Sequence, residues 1–197
     1  MDTRKAEIAA TAARMVVEEG LEYGAAKRRA VKQLGLAGRA ALPDNDELED
    51  AVREYIELFA ADTQADELLA LRRLAIVWME LLREFRPYLA GAVWRGTATR
   101  RSDIYLQLFC DDSKSAELAL IDRQVRYQPS TVVGFNGAAT EALSVHSWCD
   151  ELQEDIGVHL LVYDHDDVRG ALKPDARGRI PRGNLEAVQH LVHDAGP

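Results

Sequence analysis

Cysteine is scarce in this chain, since Cys110 and Cys149 are the only two among 197 residues. They do not form a CxxC pair, so the sequence gives little support to a disulfide framework or a structural zinc site. Cys110 falls within an apolar stretch and is predicted to be a small buried side chain.

Long apolar runs and an excess of basic residues are also missing. No stretch reaches the roughly 18 apolar residues of a membrane-spanning helix, and the amino-terminal residues MDTRKAEIAA lack the apolar core of a signal peptide. We therefore expect a cytoplasmic protein that does not contact membranes. The 24 Lys and Arg residues against 33 Asp and Glu residues give a formal net charge of −9, which argues against general nucleic-acid binding.

Two common catalytic motifs are absent from the sequence. There is no GxxxxGK[ST] segment, which disfavours a phosphate-loop ATPase, and no GxSxG nucleophile elbow. We also find no internal repeat and no low-complexity tract. The composition, 47% hydrophobic and 29% charged, is typical of a globular protein with one or two compact units.

Apolar residues at helical spacing predict four helices in the first 86 residues. The predicted helices are Thr3–Glu19, Glu22–Leu34, a third that follows a cap at Pro43–Asp46, and a fourth over Ala65–Phe85. Apolar residues cover more than one stripe of the fourth helix, so we expect contacts on two sides. The side chains predicted to be buried there are Trp78, Leu81, Leu82 and Phe85.

The second part of the chain alternates short apolar runs with turn residues. Leu89–Trp94, Ile104–Phe109 and Val158–Tyr163 are predicted strands, and residues 95–102 form a polar turn between the first two. Ala142–Trp148 is a further candidate strand, although Ala138–Leu143 also fits a helix and periodicity does not decide between them.

The most informative segment lies between Pro87 and Asp112. It resembles the signature of the nucleotidyltransferase superfamily with the polymerase-β-like fold, in which a strand is followed by Gly-Ser, Arg-Gly, a turn, and Ser-Asp-x-Asp opening a second strand. The positions that match in order and spacing are Gly91, Ala92, Arg95, Gly96, Thr97, Ser102, Asp103 and Tyr105. The resemblance rests on the whole set, since any one element alone is weak.

The resemblance implies a role for each matched residue. Asp103 stands at the first catalytic carboxylate and is the remnant of a metal site. The implied nucleotide-binding residues are Gly91, Arg95, Gly96, Thr97 and Ser102. The sequence departs from the family where Ala92 replaces a phosphate-binding serine and Tyr105 replaces the second carboxylate. The third carboxylate position falls on His159.

The replacement of the second and third carboxylates affects the metal binding that the resemblance implies. Carboxylates at i and i+2 of a strand point to one face and can bridge metal ions. Magnesium prefers hard oxygen ligands, so Asp103 alone implies weak Mg²⁺ binding at most. A third acid has an alternative source in the acidic run that contains Asp164, Asp166 and Asp167. The other interpretation of this run is an ordinary solvated loop.

These observations predict an α+β fold, with a helical amino-terminal half (1–86) packed on a mixed-sheet, nucleotidyltransferase-like domain (87–197). The expected function is that of a nucleotide-binding, regulatory or interaction module whose degenerate metal site impairs catalysis. Its expected partner is a nucleotide or another protein. The alternatives are an active nucleotidyltransferase with an atypical carboxylate set and an unrelated α/β protein-interaction domain. The sequence does not indicate an oligomeric state.

Overall fold

A computed structural model describes residues 3–36 and 40–195 and shows an α+β fold, as predicted. Eight α-helices and one six-stranded mixed sheet lie within these residues. None of the helices described there is both long and apolar enough to cross a membrane. The chain forms two compact units: a helical unit, Met1–Glu67 with Thr97–Ser102, and a sheet unit, Leu68–Gly96 with Asp103–Pro197.

The helical unit contains the first three helices, which are α1 (Thr3–Glu19), α2 (Tyr23–Gln33) and α3 (Asn45–Phe59). Asp44 begins α3 with a capping box, because its carboxylate accepts from the Glu47 N–H while the Glu47 carboxylate accepts from the Asp44 N–H. The core of this unit includes Ile8, Met15 and Leu48, all fully buried.

The fourth helix, α4 (Gln64–Leu81), continues into a 3-10 turn at Arg83–Phe85. Most of this helix belongs to the sheet unit, whereas the sequence-based division was placed between residues 86 and 87. Trp78, Leu82 and Phe85 are buried as predicted. Leu81 is not, because it shares an exposed stripe with Val77, four residues earlier on the helix.

Six strands and four further helices complete the sheet unit, and the strand order across the sheet is β3-β4-β5-β2-β1-β6. In chain order these elements are β1 (Tyr88–Ala90), α5 (Gly91–Arg95), β2 (Ile104–Cys110), α6 (Ser115–Asp122), β3 (Gln128–Val133), β4 (Ala139–Cys149), β5 (Glu154–Asp164), α7 (Val168–Ala171), β6 (Arg182–Asn184) and α8 (Leu185–Ala195). Strand β2 is parallel to β5, and the other neighbouring strands are antiparallel. The ambiguous segment around Ala142 is therefore a strand.

The predicted strand Leu89–Trp94 is wrong beyond Ala90, where α5 begins. Gly91 adopts a positive φ of 71°, which takes the chain out of the extended conformation. Trp94 then packs on Gly183, where a side chain would collide with the indole, and donates its Nε1 hydrogen to the Ile180 carbonyl. This packing requires the helical turn that a continuous strand would not provide.

The two faces of the sheet differ. One face carries Leu106, Leu143 and Leu160, which are fully buried, and α4 lies against it through a hydrogen bond from Trp78 Nε1 to Ser147 Oγ. The opposite face carries Tyr105 and His159 and is called the site face below. At the carboxyl ends of β2 and β5, a cluster of Phe109, Tyr163 and Ala171 packs on this face with Phe135 and Val168.

Candidate functional site

The three positions that the resemblance assigns to carboxylates lie on two neighbouring strands, at the start of β2 and in the middle of β5. Asp103 immediately precedes β2, and Tyr105 is the second residue of that strand. Tyr105 pairs directly with His159 of the parallel strand β5. Because side chains alternate along a strand, Asp103, Tyr105 and His159 all project from the site face. Only one of the three is an acid.

His159 connects two polar side chains by hydrogen bonds. Its Nε2 lies 2.8 Å from Asp103 Oδ2, and its Nδ1 lies 2.8 Å from Ser144 Oγ. An ionised carboxylate can only accept, so Nε2 carries the hydrogen of this bond. In the neutral imidazole Nδ1 is then an acceptor, and the Ser144 hydroxyl donates to it. The result is a continuous Ser144–His159–Asp103 hydrogen-bond relay, called the relay below.

The strand register explains how each partner reaches the imidazole. Ser144 of β4 stands directly opposite His159 in the antiparallel β4–β5 pair, so the two side chains share a face. Asp103 lies diagonally from His159, at the level of Gly157. A methyl group built on Gly157 would lie 2.8 Å from the Asp103 carboxylate carbon, which is a collision. The missing side chain at Gly157 therefore makes room for the Asp103–His159 bond.

Aromatic stacking holds the imidazole from the side of β2. The Tyr105 and His159 rings have centroids 4.8 Å apart with an interplanar angle of 30°. Gly91 contributes to the same environment, because a methyl group there would lie 3.5 Å from the Tyr105 ring. Gly91, one of the predicted nucleotide-binding residues, therefore lies beside Tyr105, the position of the second carboxylate.

Arg95 is the last residue of α5, and Gly96 has a local structural role at the end of this helix. Gly96 follows the helix with a φ of 87°, the left-handed conformation that favours glycine at a helix end. Arg72 of α4, which is buried, donates from Nε to the Val93 carbonyl and from Nη2 to the Trp94 carbonyl. Burial lowers the pKa of the Arg72 guanidinium. These contacts satisfy carbonyls at the end of α5 that have no partner within the helix.

Thr97 and Ser102 belong to the helical unit, while Asp103 belongs to the sheet unit. The Ser102 hydroxyl accepts a hydrogen bond from the Thr99 N–H at 3.0 Å, and the Ser102 N–H donates to the Thr99 carbonyl at 2.8 Å. Thr97 is buried. The hydrogen bonds of Ser102 are those of a tight turn, so its hydroxyl already has a local partner.

The arrangement fits a magnesium site poorly. Asp103 is the single acid among the three aligned positions, and its Oδ2 is hydrogen-bonded to His159. Over the described residues, no group of three or more His, Cys, Asp and Glu side chains is placed to hold a metal ion. Two-metal chemistry needs several anionic ligands. Among the three aligned positions, Asp103 alone supplies one.

The alternative acids lie at the other end of the strands. Asp164 pairs with Cys110, whereas Asp103 is level with Gly157, seven residues earlier on β5. At about 3.3 Å per residue this separation is about 23 Å. The Asp164 carboxylate caps the following 3-10 turn by accepting from the Asp166 N–H. Asp164 is therefore not a third ligand to a metal at Asp103, and the nearest acid of β5 on the site face is Asp155.

A buried guanidinium occupies the same face of the sheet. Arg182 of β6 pairs with Ala90, which pairs with Tyr105, so the three residues form one row across the sheet. The Arg182 side chain lies over the Phe135 ring, 4.4 Å from its centroid. Its Nε and Nη1 are buried and have no hydrogen-bond partner among the described residues. Burial lowers the pKa of this guanidinium.

Comparisons of the chain with protein-family models, curated proteins and solved structures found no match. The nucleotidyltransferase resemblance therefore rests on the residues of the signature and stays a prediction.

Ser144, Gly157 and Arg182 were not among the predicted site residues. Sequence periodicity can give the face of each side chain within its own strand, but the pairing of β4 with β5 and of β1 with β6 fixes which side chains meet. Arg182 follows Arg177 and Arg179 in the sequence, and such a local cluster of basic residues is a signal for an anion-binding group. Nothing in the sequence around Ser144 distinguishes it from other strand serines.

Proposed function

We propose that this protein is a nucleotidyltransferase-like module that binds a nucleotide without metal-dependent nucleotidyl transfer. The observation that carries the proposal is the placement of Asp103, Tyr105 and His159. These residues occupy, side by side, the three positions that the resemblance assigns to catalytic carboxylates, with one acid left. A cytoplasmic location and a regulatory or interaction role are part of the same proposal.

Arg182 supports nucleotide binding because a buried guanidinium with two unpartnered nitrogens is suited to an anionic oxygen. An isolated buried charge is costly to maintain, and a bound phosphate group would offset that cost. Arg182 lies in the same row of the sheet as Tyr105, which places it on the face that carries Asp103.

Calorimetric titration with ATP, GTP, CTP and UTP, with and without magnesium, tests the proposal. We expect at least one nucleotide to bind without the metal, and magnesium to change its affinity by less than about threefold, since one carboxylate holds the ion weakly. Replacing Arg182 by Met should weaken binding by about 10- to 100-fold, the loss of one charge-assisted hydrogen bond.

Arg169→Met is the matched control, since Arg169 is an exposed arginine of the sheet unit and its loss changes the net charge equally. It should leave the affinity unchanged. Tyr105→Asp restores the second acid and should bind magnesium more tightly than the natural chain. The proposal fails if no nucleotide binds, or if the protein transfers nucleotides readily and Asp103→Ala abolishes that activity.

A further inference from the structure

We propose that Ser144 is a nucleophile activated by His159 and oriented through Asp103, and that it accepts an acyl group from small activated carboxylic esters. Each contact of the relay measures 2.8 Å, which is within reach for proton transfer from a hydroxyl to a ring nitrogen. A nucleophile hydrogen-bonded to a base that a third group orients is the general geometry of serine acyl transfer. This inference does not rest on the proposed function, because it requires neither nucleotide nor metal.

The imidazole is held in the orientation that this chemistry needs. Asp103 fixes the hydrogen on Nε2, which leaves Nδ1 free to accept the Ser144 proton. Tyr105 stacks on the ring and restricts its rotation. Asp103 acts here as a positioning residue, since it contacts the base and not the reacting hydroxyl.

The relay is also accessible. The Asp103 side chain is 46% exposed and the His159 side chain 24% exposed, while Ser144 is half-buried. The neighbouring strand β3 is exposed along its whole length. The exposed parts of Asp103 and His159 give a small ester and a water molecule access to the relay from solvent.

The reaction is balanced within the relay, the ester and water. Ser144 Oγ bonds to the ester carbonyl carbon while its proton passes to His159 Nδ1. The carbon–oxygen bond to the leaving group then breaks, and the proton of His159 passes to the departing oxygen. Water attacks the acylated Ser144, gives its proton to His159, and releases the carboxylic acid as Ser144 regains its hydrogen.

The surrounding sheet limits the expected rate. β4 is hydrogen-bonded to β3 on one side and to β5 on the other, so its backbone N–H groups are committed to the sheet. Stabilisation of the oxyanion is then weak, and acceleration comes mainly from the base, about 10²- to 10⁴-fold. We expect slow turnover with accumulation of the acylated serine.

A fluorophosphonate probe tests the nucleophile on the full-length protein. Ser144 Oγ displaces fluoride from phosphorus, and the adduct is detected by intact mass and located by peptide mapping. We expect one adduct, on Ser144, and a labelling rate at least about tenfold lower in His159→Gln. With p-nitrophenyl acetate, we expect a burst of p-nitrophenol that Ser144→Ala abolishes.

Ser130→Ala is the matched control. Ser130 is exposed on β3 and pairs with Ala142, which is two residues from Ser144 on β4 and therefore on the same face of the sheet. It should label like the natural protein. For Asp103, the readout is the downfield imidazole N–H resonance of His159, which we expect to be lost in Asp103→Asn. The inference is overturned if the natural protein gives no adduct on Ser144, or if His159→Gln labels at an unchanged rate. The absence of an adduct on Ser144 of the natural protein overturns the inference by itself, so this test does not depend on the folding of any variant.

Discussion

At the scale of single residues, the missing side chain at Gly157 determines whether Asp103 and His159 can meet. We expect Gly157→Ala to push the Asp103 carboxylate away, since the new methyl would collide with it. The Asp103 side chain is half-exposed and can rotate into solvent, so the free energy of unfolding should fall by less than about 1 kcal/mol. Urea unfolding and the rate of Ser144 labelling measure the two effects separately, and the labelling rate should fall.

Gly170→Ala in α7 is the corresponding control. A methyl group there would make an ordinary contact, 3.9 Å from the Phe135 ring, and should change neither the labelling rate nor the stability by much. Equal labelling rates in the Gly157 variant and the natural protein would contradict the role assigned to Gly157.

The residues of the site could be predicted only in part. Asp103, Tyr105 and His159 were identified from the signature, and alternation along strands correctly placed Asp103 and Tyr105 on one face. Cys110 was correctly predicted to be buried, and burial raises the pKa of its thiol to about 11. The contact of His159 with Ser144 depends on the pairing and register of β4 and β5, which the apolar pattern of either strand by itself does not give.

At the scale of elements, the position of α4 on the sheet is fixed in part by the Trp78–Ser147 hydrogen bond. Trp78→Phe removes the indole N–H and keeps most of the apolar ring, while Ser147→Ala removes the acceptor. A double-mutant cycle measured by urea unfolding should give a coupling free energy of about 0.5–1.5 kcal/mol.

Trp78→Phe combined with Ser144→Ala serves as the reference cycle, because Ser144 lies on the opposite face of the sheet. Its coupling free energy should be close to zero. A coupling near zero for Trp78 and Ser147 as well would show that this hydrogen bond contributes nothing to the stability of the sheet unit.

The helices and strands were more predictable than the short segments whose geometry depends on contacts with distant residues. Regular apolar spacing predicted the first four helices, and the Asp44 cap was visible as a Pro-Asp-Asn-Asp run followed by Glu47. The short helix α5 was mistaken for a strand because five residues are too few to show a helical period. Its geometry depends on Arg72 and Gly183, which are distant in sequence.

At the scale of the whole molecule, α4 determines where a stable sheet unit begins. A fragment of residues 68–197 retains all of α4 except its first four residues, whereas a fragment of residues 87–197 loses the buried side chains of Trp78, Leu82 and Phe85. We expect the shorter fragment to be less stable by at least about 3 kcal/mol, the cost of losing even one large core side chain.

Urea unfolding of the two fragments, followed by circular dichroism, measures this difference. Equal stability of the fragments would mean that α4 adds nothing to the sheet unit, and that the division between residues 86 and 87 is the better description. A shorter fragment that is unfolded in buffer would agree with the expectation.

The segment Thr97–Ser102 belongs to the helical unit but follows the first part of the sheet unit in the sequence. This order has a consequence for synthesis on the ribosome. Gln64 Nε2 donates to the Ala98 carbonyl, Thr99 Oγ1 donates to the Val17 carbonyl, and the Arg100 N–H donates to Glu67. Residues 68–100 must be added before these bonds can close, a delay of about 2–7 s at about 5–20 residues per second. During synthesis, the helical unit therefore cannot form these three hydrogen bonds until the first part of the sheet unit has been translated.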